Sequence, residues 1–157
     1  DVFSIGRALE KRGHLERAEA CYRACEDRRL LGSARLRLAE MYRRGRRYEE
    51  AAETLEALRK SAHASARVYI SLAKLYEHRF AMPRRALDIA RQGMIYCSER
   101  LGTPAFDADG YNDLERRVRR LTGKAEKAQD DDKGQAQGQD RPPQAPAGQK
   151  GRGAGAV

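Results

Sequence analysis

The side chains that could perform chemistry are few and scattered in this sequence. Cys21 and Cys25 are four residues apart, so they share one face of a helix. A metal site would need two more ligands, and the closely spaced cysteine pairs of zinc sites are missing. His14, His63 and His78 have no Ser, Cys or Asp in a recognisable catalytic arrangement with them. We therefore predict no catalytic residue, no metal site and no cofactor.

Two features near the C-terminus could in principle bind ions. The acidic run 130–132 lacks the glycine turn and the terminal Glu of a calcium-binding loop. Gly151, Gly153 and Gly155 have no strand or helix around them from which a phosphate-binding loop could be built. We interpret both features as parts of a solvated tail, and we expect that this chain is not an enzyme.

The composition of the chain changes near residue 124. Segment 124–157 is rich in Gly, Gln, Pro and Ala and has no aromatic residue, so it cannot bury enough apolar surface to offset the entropy of ordering it. We predict a folded part, 1–123, and a disordered low-complexity tail, 124–157. The chain carries 32 Lys plus Arg against 23 Asp plus Glu, a net charge of +9. Nearly all of this excess is arginine in the folded part, and a basic surface favours acidic partners or nucleic acid.

An internal repeat organises the folded part. Apolar residues recur at helical spacing, are interrupted near a Gly or Pro, and then recur, which predicts pairs of antiparallel helices. Ala18, Ala51 and Ala86 mark the second helix of each pair and lie 33 and 35 residues apart. We predict an all-α fold in which residues 1–100 form a stack of three helical hairpins.

A linker and a capping helix are expected over residues 101–123. A narrow apolar stripe in this segment predicts a helix that begins near Tyr111 and covers the open face of the last hairpin. We expect Gly123 to end this helix, because glycine is common just beyond a helix C-terminus.

The three units resemble the tetratricopeptide repeat. That repeat pairs Leu-Gly and a Tyr in the first helix with a conserved small residue in the second; here Leu38-Ala39 and Tyr42, then Leu72-Ala73 and Tyr76, occupy the corresponding positions. The resemblance covers about residues 1–100. It implies a protein-interaction or scaffold module that holds a peptide on the inner surface formed by the first helix of each hairpin. The best-known members clamp a carboxylate with Lys and Asn, and no Asn stands at the inward positions here.

The inward positions are apolar or charged, and we expect them to form a groove for a peptide or partner protein. They are Phe3, Arg7, Leu36, Glu40, Arg43, Arg44, Arg67, Ile70 and Lys74. Such a groove has an apolar floor and charges of both signs. Its cations could meet an acidic peptide, with Glu40 and Glu77 limiting that preference. The alternative interpretation is that many of these charged residues are solvated helix faces.

Nucleic acid is the alternative partner. Arg116, Arg117, Arg119 and Arg120 form a dense basic stretch of the kind that contacts phosphates. In addition, segment 72–79, followed by Ala86-Leu87, is similar to part of the C-terminal helical repeats of bacterial proteins that carry an RNase H-like nuclease domain. That resemblance implies an accessory region of a nuclease whose catalytic domain is absent from this chain.

Location and assembly follow from simpler features. An odd number of cysteines in a helical chain favours a reducing compartment, so we expect a cytoplasmic protein. No stretch is apolar enough to suggest a membrane partner. The sequence leaves the oligomeric state open, although exposure of Val2 and Phe3 on the first face of the array would favour some self-association.

Overall fold

Residues 1–138 of the chain, with side chains for residues 1–127, are described by a computed structural model. This part of the chain contains seven α-helices and no strand. The helices are α1 (Val2–Lys11), α2 (Leu15–Arg23), α3 (Leu31–Arg44), α4 (Tyr48–Arg59), α5 (Ala66–His78), α6 (Pro83–Ser98) and α7 (Ala108–Gly138).

The helices form three hairpins, α1–α2, α3–α4 and α5–α6, stacked in chain order. Each second helix also packs against the first helix of the next hairpin, and α7 lies across α6 and α5 at the end of the stack. The predicted all-α stack of three hairpins with a capping helix is therefore confirmed. Because neighbours in sequence are neighbours in space, the apolar core runs continuously from the first hairpin to α7.

Small residues allow the helices of the stack to approach closely. A Cβ atom added to Gly6 in α1 would lie 2.8 Å from the Tyr22 ring of α2. One added to Gly93 in α6 would lie 2.7 Å from the Tyr69 Cβ of α5 and 3.0 Å from Leu114 of α7. Both distances are too short for a real side chain. Glycine is thus required where the helices cross, as ridge-into-groove packing demands.

The three hairpin turns share one backbone feature. Gly13, Arg46 and Ala81 occupy equivalent places in the turns and have positive φ angles of 80°, 60° and 52°. Gly45, the glycine of the second turn, has a φ of −76° and does not occupy this position. The left-handed position is therefore filled by glycine in the first turn only, and the packed helices hold the other two residues in a conformation that L-amino acids disfavour.

The capping helix is longer than the sequence suggested. It begins at Ala108 and passes through Gly123 to Gly138, so the predicted end at Gly123 is wrong. A glycine inside a helix costs only about 1 kcal/mol, and the next turn contributes a buried Ala125 to the core. The predicted disordered tail begins inside this helix, and residues 139–157 lie outside the described part.

Residues 1–138 contain no helix that combines the length and the apolar character needed to cross a membrane.

Candidate functional site

Two adjoining cavities follow the inner surface of the stack, where α1, α3 and α5 lie side by side. Their volumes are about 540 Å³ and about 530 Å³, and they share Leu36, Glu40, Arg67 and Ser71. We call the two cavities together the groove. All nine predicted inward residues line it. The polar or charged residues that the structure adds to this lining are Ser33, Arg37, Ser71, His78 and Arg79.

The floor of the groove carries one apolar side chain from each hairpin. Phe3, Leu36 and Ile70 are half-buried against the core and lie 33 and 34 residues apart in the chain. We call them the apolar row. Phe3 does not form an open face for self-association, because its ring packs 5.8 Å from that of Tyr22, centre to centre.

Part of the positive charge of the groove is neutralised. Arg43 forms a fork with Glu40, with hydrogen bonds of 2.9 Å and 2.6 Å, and Arg44 approaches the same carboxylate at 3.6 Å. The hydrogen bonds from Arg43 are the main reason why the pKa of Glu40 lies below its ordinary value. Both side chains of the Arg43–Glu40 pair are 45% exposed, so the pair adds little to the stability of the fold. Its main effect is to fix where these two charges lie in the groove.

A second carboxylate beneath the groove ties the first two hairpins together. Glu10 of α1 is almost fully buried and accepts hydrogen bonds from Tyr22 at 2.7 Å, from Arg37 at 3.1 Å and from Arg44 at 2.7 Å. Burial raises the pKa of Glu10, but these three donors outweigh it and the net pKa is lowered. The same burial raises the pKa of Tyr22 to about 12, so its hydroxyl stays a donor at neutral pH.

Several cations of the groove have no such partner. Within residues 1–127, the ion pairs do not include Arg7, Arg67 or Lys74. Arg67 does lie close enough to Glu40 to lower the pKa of that carboxyl. Because Glu40 is already bound by Arg43, the groove keeps an excess of positive charge.

The four arginines predicted to contact phosphates do not form one open surface. Arg117 is 9% exposed and lies 3.2 Å from Asp113 and 3.6 Å from Glu77. Arg120 also binds Glu77 through both of its terminal nitrogens. Arg119 pairs with Glu115 on the surface. Arg116 is exposed and has no ion pair within residues 1–127.

Glu77 is the centre of this cap contact. Its side chain is 2% exposed, and Lys124 adds a third cation at 2.7 Å. The hydrogen bonds from Arg120 contribute most to a pKa of about 2 for Glu77, and burial opposes them. We call Glu77 with Arg117, Arg120 and Lys124 the cap cluster. It fastens α7 to α5 across the chain and withdraws two of the four predicted phosphate contacts.

The sequence analysis also missed a contact that recurs between hairpins. Tyr42 donates a hydrogen bond to Glu19 of the preceding hairpin at 2.9 Å, while Arg47 lies 4.3 Å above its ring. The next interface repeats the pattern: the Tyr76 hydroxyl donates to Glu56 at 3.1 Å, and an arginine lies 4.7 Å above the ring. The repeated tyrosine was visible in the sequence. The carboxylate that accepts its hydrogen bond was not visible in the sequence, because Glu19 and Glu56 are not equivalent positions of the repeat. Glu56 lies one helical turn further along its unit than Glu19 does.

In the part of the chain that the structure describes, no three His, Cys, Asp or Glu side chains come together as metal ligands. Cys25 and Cys97 are buried as free thiols, and burial raises the pKa of Cys97, which favours the unreactive thiol form. Comparison of the sequence with protein-family models and with curated proteins finds no match. The groove itself therefore has to supply the argument for function.

Proposed function

We propose that this chain is a protein-interaction module that binds an acidic, partly apolar segment of a partner protein in the groove. One observation carries the proposal: the groove presents a row of equivalent apolar side chains together with cations that the fold does not neutralise. The tetratricopeptide resemblance supports this use of the inner surface. Catalysis by the chain is not part of the proposal.

The geometry of the apolar row favours a segment in an extended conformation. Directly packed helices lie about 8–10 Å apart. The close contacts of the stack run mainly between consecutive helices and not between α1, α3 and α5, so we expect successive members of the row to be separated by at least about that distance. A polyproline-II chain is extended, advances about 3.1 Å per residue and places every third side chain on the same face. Every third side chain of the partner would then meet Phe3, Leu36 or Ile70.

The charges of the groove favour acidic side chains in the partner. Arg7, Arg67 and Lys74 line the groove and form no ion pair within residues 1–127, whereas Glu40 would repel an anion placed directly over it. A partner with separated acidic residues matches this pattern better than one with continuous negative charge. Electrostatic complementarity of this kind raises the association rate and the specificity.

Binding to nucleic acid has weaker support. Arg117 and Arg120 are bound to Glu77, and Tyr22, Tyr42 and Tyr76 are buried, so their rings offer no stacking surface for bases. The resemblance to the helical repeats of RNase H-like nucleases stays a prediction.

Selection of peptides by the full chain tests the proposal. A displayed library of random peptides should yield binders with acidic residues and apolar residues three positions apart. Ile70→Ser should weaken a selected peptide about tenfold or more, because it removes one member of the apolar row. Ile95→Ser is the matched control: Ile95 is 58% exposed on α6, away from the groove.

One result would reject peptide binding in the groove. If selected peptides bind Ile70→Ser and Ile95→Ser equally well, the groove is not the binding surface. Short single-stranded and duplex oligonucleotides should be titrated in parallel over a salt series. Tight binding of these that falls steeply with added salt, without any selected peptide, would favour the nucleic-acid function instead.

A further inference from the structure

One helix of the groove presents a basic stripe with a hydroxyl at its centre. Arg67, Ser71 and Lys74 of α5 follow one another at spacings of four and three residues, so they lie along one face of the helix. All three line the larger cavity, and Arg67 and Ser71 line the smaller one as well. The two cations are seven residues apart, about 10 Å along the helix axis.

The fold does not use these polar groups. Thr54 and Thr122 donate their hydroxyl hydrogen bonds to backbone carbonyls one turn earlier in their own helices, at 2.8 Å and 2.9 Å. Ser71 makes no such bond within residues 1–127, although its helical environment offers the same acceptor. Arg67 and Lys74 likewise have no hydrogen-bond partner there. Three adjacent donors are thus free and accessible on one face.

The position of Arg67 near the start of its helix makes the fold less stable. It is the second residue of α5, and the first turn of this helix contains no acidic residue. The N-terminal end of a helix carries partial positive charge, so a cation there is repelled and an anion is attracted. The partial positive charge of the helix end and the guanidinium of Arg67 would therefore both attract a bound anion.

A phosphoryl group satisfies these donors better than a carboxylate. It carries about −1.5 to −2 charges at pH 7 and three strong acceptor oxygens. One such group between Arg67 and Lys74 could accept from a guanidinium, an ammonium and the Ser71 hydroxyl together. Glu40 is the nearest acidic group of the groove, and Arg43 already binds it through two hydrogen bonds.

We propose that the stripe of Arg67, Ser71 and Lys74 is a subsite for a phosphorylated serine or threonine in the peptide that the groove binds. The inference rests on the proposed function and makes it more specific. The apolar row beside the stripe, and Glu40 within the groove, suit an isolated phosphoryl group on a peptide. A continuous sugar-phosphate chain would meet Glu40 and would leave the apolar row uncovered.

The test compares three versions of one peptide pool on the full chain. The peptides have nine residues with Leu or Ile at positions 2, 5 and 8, which are single steps of the apolar row apart. Phosphoserine, serine or glutamate stands at position 3 or at position 7, so that in either chain direction one version lies beside the residue that meets Ile70. We expect the best phosphoserine peptide to bind about tenfold tighter than its serine form, with the glutamate form between them. Fluorescence anisotropy of labelled peptides measures the three affinities.

Substitutions in the stripe should remove the preference for phosphate. Arg67→Ala or Lys74→Ala should reduce the phosphoserine-to-serine ratio from about tenfold to about twofold, and Ser71→Ala should have a smaller effect. Arg67→Lys should keep part of the preference, since it retains the charge but loses the planar fork. Arg91→Ala is the matched control, because Arg91 is exposed on α6 and outside both cavities.

The outcomes separate the two proposals. If serine and phosphoserine peptides bind equally well in the groove, the phosphoryl subsite is wrong and the proposed function stands. If the preference survives in both Arg67→Ala and Lys74→Ala, the phosphate binds elsewhere and the subsite is again wrong. If no version binds while the selection described above also yields no peptide, the proposed function fails and the subsite fails with it.

Discussion

The groove and the cap cluster contain the same residue types in opposite electrostatic states. In the cap cluster one buried carboxylate, Glu77, receives three cations from α7. In the groove, Arg7, Arg67 and Lys74 have no carboxylate partner within residues 1–127. Clusters of arginine therefore do not share one role in this chain. Those of the cap cluster hold the last helix in place, whereas Arg7 and Arg67 of the groove form no ion pair within residues 1–127.

The largest expected effect comes from removing the charge of Glu77. Glu77→Gln leaves the 9% exposed guanidinium of Arg117 with only a partly exposed Asp113 nearby. Breaking a buried ion pair from one side typically costs about 3–5 kcal/mol. The other two cations of the cap cluster are about half exposed, so water can solvate them when Glu77 is lost. We therefore expect the free energy of unfolding, measured by urea denaturation, to fall by about 3 kcal/mol, the lower end of that range.

The matched substitution in the groove is Glu40→Gln. This carboxylate is 45% exposed, and surface ion pairs contribute about 0–1 kcal/mol. We expect the free energy of unfolding of the Glu40→Gln variant to be less than about 1 kcal/mol below that of the unmodified chain. Equal losses for Glu77→Gln and Glu40→Gln would show that the two regions do not differ in the way described.

Acid should weaken the cap cluster as Glu77 becomes protonated. The pKa of Glu77 is lowered to about 2 from an ordinary 4.5, so the folded state binds this proton less readily than the unfolded state. The ionised carboxylate stabilises the fold fully above pH 4.5, and this stabilisation disappears as the pH falls through about 2. The groups facing it are Arg117, Arg120, Lys124 and His78.

The linked stability is on the order of 3 kcal/mol at most. We expect the free energy of unfolding to decrease between pH 4.5 and pH 2, and the decrease should be smaller by about that amount in Glu77→Gln. Chemical denaturation at several pH values measures both slopes. A variant that loses stability in acid as steeply as the unmodified chain would contradict the assignment of this transition to Glu77.

The packing around α7 provides a third comparison, between Gly93 and Gly123, for which the expected changes in stability are smaller. Gly93→Ala would place a methyl group 2.7 Å from Tyr69 and 3.0 Å from Leu114, and overpacking of this kind costs about 1–3 kcal/mol. Gly123 has nothing within 4 Å of an added Cβ atom. Because alanine is the better helix former, Gly123→Ala should instead stabilise the chain by up to about 1 kcal/mol. Thermal unfolding of both variants should show shifts of opposite sign.

The hairpins and the lining of the groove could be predicted because both depend on a local period. The spacing of Ala18, Ala51 and Ala86 placed three equivalent helices, and counting from them located Leu36 and Ile70 on the inner surface. No knowledge of distant contacts was needed. A repeat fold makes such inference reliable, since each unit meets only its neighbours.

The cap cluster could not be predicted in this way. Glu77 contacts Arg120, which lies 43 residues later, and no repeat relates the two positions. The sequence therefore suggested four equivalent arginines where the structure separates buried from exposed ones. The end of α7 was misjudged for a similar reason: a glycine signals a helix end only when no tertiary contact continues beyond it, and here Lys124 and Ala125 both make such contacts.

The smallest expected effect on stability is the most informative about the groove. Arg67→Ala and Lys74→Ala remove exposed side chains that have no ion pair within residues 1–127, so each should change the free energy of unfolding by less than about 0.5 kcal/mol. Arg67→Ala should be neutral or slightly stabilising, because it removes a cation from the first turn of α5. If either variant instead lost about 2 kcal/mol, its cation would have a structural role like that of the cap cluster. The argument that the groove cations are held for a ligand would then fail, whatever the peptides bind.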